Sequence, residues 1–444
     1  MKKFYRTFFS IYVALVLQNV VTLSVNLADN IMLGGYSETA LAGVAAVNQV
    51  QFIYQQILFA LGDGVVMFCS QYWGQKKTEP MKKISSIAIH FAIGVSLILF
   101  AAVSLFPRQI MHCFTTDEPI VAEGMRYLAI IRFTYLFFAI TQLLLATLRS
   151  IAMVKIAFML SVQSLIVNCC INYVLIYGKF GAPRLGVVGA AIGTLTARIL
   201  ELTVLVLYIA KKEKVLNLRF SSFLQTDSLL RMDYIKTVSP MVLISGLWGL
   251  NTAMQTVILG HMTSAAIAAN SIASNLFLLV KSIPVGASAT GGIMIGKAIG
   301  EGDMKKVRET SVRLQKTFLC LGIFSGILLF FLRIPVLRLY DVSDATRQMA
   351  DSFLKILCII TVGMSYQMPT NNGIIRGGGN SLFVVRMDLI SIWGIVIPLS
   401  LIMAFVVKAS PITVVWCLNA DQLFKCVPAF LESNYGNWVR KLTR

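Results

Sequence analysis

The chain has 444 residues, 57% of them apolar and 13% charged, with a mean hydropathy of +0.76. Uncharged runs long enough to cross a bilayer recur along it, which excludes a soluble protein of this size. The net charge of +19 follows a membrane topology and calls for no nucleic acid partner.

Taken in chain order, the apolar runs predict an all-α integral membrane protein of twelve transmembrane helices. The spans fall at residues 8–33, 39–72, 84–106, 121–147, 155–178 and 186–210, then at 235–260, 266–297, 313–333, 347–375, 382–406 and 411–432. The first run is too long for the apolar core of a cleavable signal and reads as the first span. Thr237–Val280 is uncharged for 44 residues and must hold most of two spans. The longest polar stretch, Lys211–Lys236, separates spans six and seven. It is expected to be cytoplasmic and to carry an amphipathic helix. The predicted division is an N-lobe at 1–210, a linker at 211–234 and a C-lobe at 235–444.

Counting Lys and Arg in the loops and tails fixes the expected orientation. With both termini cytoplasmic, 25 fall inside and 7 outside, the bias that plasma-membrane proteins carry.

The chain also repeats itself. At an offset of 226, Ala40-Leu41-Ala42-Gly43 falls on Ala266-Ile267-Ala268-Ala269, and Gln71-Tyr72-Trp73-Gly74 on Lys297-Ala298-Ile299-Gly300. Six helices per half make the repeat parallel, the ground plan of a transporter with its substrate path between the halves.

Other classes find little support. There is no G-x-x-x-x-G-K-[ST], and Gly296-Lys297 and Gly300-Glu301-Gly302-Asp303 lack phosphate-loop spacing. Transport therefore runs on an ion gradient or downhill. His90, His112 and His261 lie in separate elements without H-x-x-x-H or H-E-x-x-H, and the eight cysteines show no metal-ligand spacing. No enzyme, cofactor or metal centre is expected. A channel would need a ring of pore-lining charge that the repeat does not supply.

Several motifs are ordered along the chain. Leu27-Ala28-Asp29-Asn30-Ile31-Met32-Leu33-Gly34 closes the first span. Ala40-Leu41-Ala42-Gly43 and Gln71-Tyr72-Trp73-Gly74-Gln75 follow. Gly181-Ala182-Pro183-Arg184-Leu185-Gly186-Val187-Val188-Gly189-Ala190-Ala191 opens span six. Ile283-Pro284-Val285-Gly286 lies in span eight, and Arg376-Gly377-Gly378-Gly379-Asn380 joins spans ten and eleven. Together they resemble the multidrug and toxic compound extrusion (MATE) family nearly end to end. The resemblance implies a two-lobed, monomeric twelve-helix exporter. It would exchange organic cations or amphipathic compounds for protons or sodium ions as its lobes rock, with no cofactor beyond that ion.

Ionisable groups in spans cost about 2.5–3.5 kcal/mol at the helix centre and default to functional hypotheses. Asp29 lies about twenty residues into span one. Its repeat mate is Gln255, so only the first half carries a carboxylate there. In the family, the matching aspartate couples to the cation; the alternative is a cap on a broken helix end. Asn168 and Asn172, one turn apart, share a face of span five, and Thr194 follows on span six. The resemblance places all three around the cation site; the alternative is that both amides bond helix backbone. The family often has Asp where Asn172 stands, and the missing charge favours protons over sodium.

In the C-terminal half, Trp248 and Asn380 stand where a sodium-coupled branch carries carboxylates, so that branch's second cation site is expected to be missing. Trp248 and Gln255 are candidate substrate contacts; packing is the alternative for Trp248. Asp388 and Lys281 are deep enough to need partners and are expected to pair with each other, as a coupling or a structural pair. Arg198 and Glu201 form an in-helix pair by spacing. Asp63, between Gly62 and Gly64, faces cavity or packing. An alternative function is a lipid or lipid-linked oligosaccharide flippase, for which the only candidate cavity cations are Arg126, Arg132 and Lys281.

Overall fold

The computed structural model describes residues 2–213, 216 and 217, 226–262, 264–338 and 343–443. Apolar runs become helices because backbone groups in hydrocarbon must bond within their own segment. α1 (Lys2–Gly34), α2 (Glu38–Gly74) and α3 (Thr78–Leu105) come first, and a short α4 (Pro107–His112) follows. α5 (Glu118–Ile131), α6 (Thr134–Ser150), α7 (Lys155–Tyr177) and α8 (Val187–Lys212) complete the first half. The second half opens with α9 (Ser228–Gly260), α10 (Ser264–Gly300) and α11 (Met304–Leu337). α12 (Asp344–Pro369) runs on through a π-helical turn at Thr370–Ile375. α13 (Ser381–Asp388) and α14 (Ile397–Leu401) are joined by π-helical Leu389–Val396 and followed by another such turn at Ile402–Val406. α15 (Pro411–Asn419), α16 (Asp421–Phe424) and α17 (Cys426–Tyr435) end the order.

Among the described residues, nine helices are long and apolar enough to span a membrane, and α5 with α6 makes a tenth, bent by 55°. α9 and the broken α15–α17 complete the twelve predicted spans. Two spans expected to be continuous are therefore broken. The fourth bends beside Arg132, whose guanidinium donates to Ser104 Oγ at 3.0 Å and sits 5.2 Å from the Phe133 ring. The twelfth breaks at Ala420 and Lys425, beside charged side chains that turn to a neighbouring helix. Most of the linker predicted at 211–234, with its expected amphipathic helix, lies outside the described residues; α9 begins within its last part.

The chain forms two compact units. One comprises Met1–Val16, Ser70–Lys76 and Lys236–Arg444; the other comprises Leu17–Cys69 and Lys77–Ile235. α1, α2 and α9 thus contribute to both, so the units do not divide at the linker alone. In the first unit, α10, α11 and α12 pack around Leu329, Phe353 and Leu354, with a second cluster built on Phe8, Phe318 and Ile374. In the second unit, Tyr54 hydrogen-bonds Ser96 Oγ at 2.6 Å and donates to the Tyr135 carbonyl at 2.7 Å.

Repeat mates meet inside the first unit. A Cβ on Gly74 would lie 2.7 Å from Gly300 Cα, and one on Gly300 would lie 2.8 Å from Gly74 Cα. Gly296 likewise packs on its mate Ser70. Backbone has no rotamer with which to give way, so Gly74→Ala is expected to cost about 1–3 kcal/mol. Thermal unfolding of the purified variant in detergent measures this; an unchanged midpoint would mean that the helices separate freely.

Candidate functional site

The second unit places Asp29 against Asn172. Asn172 Nδ2 donates to Asp29 Oδ1 at 2.6 Å and to Asn168 Oδ1 at 3.1 Å. Asn168 Nδ2 donates to Thr194 Oγ1 at 3.1 Å. The four residues expected to ring a cation thus form one chain of hydrogen bonds across α1, α7 and α8. Both amides bond side chains rather than helix backbone. α1 continues past Asp29 to Gly34, so the carboxylate caps no broken end.

Local sequence explains the close approach. Gly189 and Gly193 are four apart on α8, a small-xxx-small pattern that lets α7 come near. A Cβ on Gly189 would lie 2.7 Å from the Leu175 carbonyl carbon, and one on Gly193 would collide with Asn172 Oδ1. That oxygen is buried without a hydrogen-bond partner. A small polar cavity opens beside Asp29, lined by Asn26, Asn48, Gln51, Tyr127 and Arg198 among others. Tyr127 and Arg198 lie close enough to Asp29 to interact with its charge. Sequence reasoning missed Tyr127, Gly193 and the packing role of Gly189. It placed Arg198 only in its pair with Glu201, which forms at 2.7 Å. The glycine spacing was the available signal.

Asp63 lies near the buried Arg149 in the same unit, within electrostatic reach of it and of Tyr234. Arg126 pairs with Glu123 at 3.0 Å on an exposed face. With Arg132 engaged by Ser104, both flippase candidates in this unit have local partners.

The first unit corrects the expected Asp388–Lys281 pair. Asp388 Oδ1 meets Lys425 Nζ at 2.8 Å, and Lys425 also reaches Asp421 Oδ2 at 2.9 Å. Lys281 lies instead over Trp248, its Nζ 4.3 Å from the ring centroid, so a lysine already faces the proposed substrate-stacking surface. Lys281 is also within electrostatic reach of Asp421. Gln422 Nε2 donates to Asp421 Oδ2 at 2.8 Å, Gln367 Nε2 to Gln422 Oε1 at 2.7 Å, and Asn371 Nδ2 to Gln367 Oε1 at 2.9 Å. A polar relay therefore crosses α12, α16 and α13, with Asn371 in one π-helical turn and Asp388 just before another. Asp421 and Lys425 were missed, although four-residue spacing in a sparse span marks them as a pair. Asn380 donates to Glu432 Oε1 at 3.1 Å, and Gln255 is half-buried on α9.

Comparison with known proteins places the chain in a family. The MatE family model matches residues 14–174 and 240–402. A probable multidrug resistance protein NorM of Streptococcus pneumoniae is 25% identical over 397 residues, covering 88% of this chain and 86% of that one. One from Thermotoga maritima is 24% identical and covers 96% and 92%. The solved Vibrio cholerae MATE transporter VcmN matches at a TM-score of 0.87 with 16% identity, covering 99% and 98%. With both matched stretches spanning the repeat and the fold shared end to end, the chain belongs to the MatE family of multi-pass membrane transporters.

Proposed function

We propose that this chain is a secondary active exporter of cationic or amphipathic organic compounds, driven by exchange for protons, with Asp29 as the coupling group. The observation that carries the reading is the 2.6 Å contact between Asp29 and the Asn172 amide. An amide N–H donated to a carboxylate at this place offsets part of the cost of its charge without a metal ion. The unpartnered Asn172 Oδ1 gives the same amide a second use. Turned over, it accepts a hydrogen bond from a protonated Asp29, so one side chain serves both states of the carboxylate.

A sodium site would want several oxygens facing the ion. Here one carboxylate is present, and the nearest amides spend N–H groups on Asp29, Asn168 and Thr194. The relatives' description as probable multidrug resistance proteins supports the substrate class. The excess of Lys and Arg in alternate loops supports cytoplasmic termini. The halves of the repeat are proposed to rock, exposing the site to one side of the membrane at a time.

The test is efflux of a fluorescent organic cation from proteoliposomes under an imposed pH gradient without sodium. Efflux that tracks the pH gradient is expected; efflux that appears only with sodium would overturn the proton assignment. Asn172→Ala is expected to shift the proton concentration that half-saturates efflux by up to about tenfold, since the hydrogen bond lost from the charged state (about 1.5–3 kcal/mol) exceeds that lost from the neutral acid (about 0.5–1.5 kcal/mol). An unaltered proton titration of efflux in that variant would remove Asn172 from the site.

A further inference from the structure

The first unit carries a long apolar groove of about 1100 Å³ that the transport reading leaves unused. Its walls are α11, α12 and α17. Leu319, Ile323, Ile327 and Phe331 follow one another along one face of α11, each 46% exposed or more. Gly326 lets α11 close onto the α12 backbone at Cys358, and Gly363 lets α12 close onto α16 at Gln422, so the floor is shallow and is lined by Cys358, Val362 and Leu423. Apolar side chains this exposed on a membrane span are stable only against hydrocarbon.

Polarity in the groove is ordered from end to end. At one end Tyr366 Oη donates to Gln315 Oε1 at 2.8 Å, and Asn434 Nδ2 donates to the same oxygen at 3.0 Å. Lys316 stands beside them and is exposed, with no carboxylate in ion-pair range among the described residues. Its neighbour Arg313 is already held by Glu309 at 3.2 Å and lies over Phe4. From Lys316 to Phe331 the groove rises about 22 Å along α11 at about 1.5 Å per residue, and its far end is apolar. A cation near the predicted cytoplasmic end of its span, continuous with an apolar track, matches an anionic amphiphile lying in the orientation of the leaflet. Basic groups between spans bind acidic lipid headgroups in this manner.

We infer that this groove is a binding site for an anionic phospholipid, its acyl chain along α11 and α12 and its phosphate on Lys316. At the far end Arg333 lies 3.8 Å over the lining Phe330 ring and is held by Asp351 at 2.8 Å, so the groove offers an organic cation no carboxylate in its lining.

The experiment uses the full chain, purified in mild detergent and titrated with phosphatidylglycerol or phosphatidylcholine, with bound lipid counted by native mass spectrometry. Wild type is expected to favour phosphatidylglycerol about fivefold, the effect of one basic residue near an anionic headgroup. Lys316→Ala is expected to lose the preference while still retaining lipid, and Ile323→Trp combined with Ile327→Trp to retain less of both lipids. Equal binding of the two lipids by wild type, or unchanged retention by the double variant, would overturn the site. Because the double variant can fail to fold, wild type is also cross-linked with a phosphatidylglycerol carrying a diazirine on its acyl chain. Adducts at 319–331 and 358–363 are expected. Adducts confined elsewhere, or an organic cation or second copy displacing the lipid from these positions, would assign the groove to another occupant.

Discussion

Asparagine at position 29 is expected to abolish gradient-driven efflux while leaving the protein in the membrane. Asp29 is the carboxylate of the second unit's hydrogen-bonded chain, and Asn172 contacts it at 2.6 Å. One exchanged proton concentrates a singly charged substrate about tenfold per pH unit, since each unit corresponds to about 1.36 kcal/mol. Asparagine is nearly isosteric and keeps an acceptor for the Asn172 amide, but it cannot take up and release the proton. Wild type is therefore expected to drive an organic cation about tenfold past equilibrium for each pH unit imposed across proteoliposomes, and Asp29→Asn to stop at equilibrium. Binding of the fluorescent cation, read by its polarisation, should survive in the variant. Full concentrative efflux by a well-folded Asp29→Asn protein would place the coupling group elsewhere.

The second large effect is on stability. Lys425 is buried and holds two carboxylates from two helices, Asp388 at 2.8 Å and Asp421 at 2.9 Å. Lys425→Met removes the only cation in direct contact with them among the described residues. Breaking a buried ion pair in this way costs about 3–5 kcal/mol, because the remaining charges lose their compensation. A clear fall in the unfolding midpoint in detergent is expected. The triple variant, Asp388→Asn with Asp421→Asn and Lys425→Met, should recover part of that loss, since it removes all three charges of the network and, among the described residues, leaves Lys281 with the Trp248 ring alone. It should also retain gradient-driven efflux if the network only ties the helices together. A stable triple variant that transports but no longer couples would give the network a part in the transport cycle.

The architecture was legible in the sequence because the bilayer makes it a local property. A run of apolar residues either is long enough to cross or is not, and its backbone can be satisfied only as helix. All twelve predicted spans therefore have a helical counterpart, and the 226-residue offset surfaces physically where Gly74 touches Gly300. The bends escaped prediction. Arg132 and Lys425 interrupt their helices where their side chains reach Ser104 and Asp388, and neither partner is near in sequence.

Within the candidate site, the cost of a charge in a span singled out Asp29 and one-turn spacing gave Asn168 and Asn172 a shared face, while the family resemblance supplied Thr194 and the grouping of the four. Spacing carries no information on how each helix is rotated towards its neighbours. That rotation, set by which small residues allow close packing, decided that Gly189 and Gly193 bring α7 to α8. It also decided that Asp388 meets Lys425 while Lys281 turns to Trp248. The sequence by itself determined the spans, the repeat, and which buried groups needed partners. Only the tertiary structure decided who the partners are, because pairing between helices depends on their mutual rotation and depth, which no local pattern encodes.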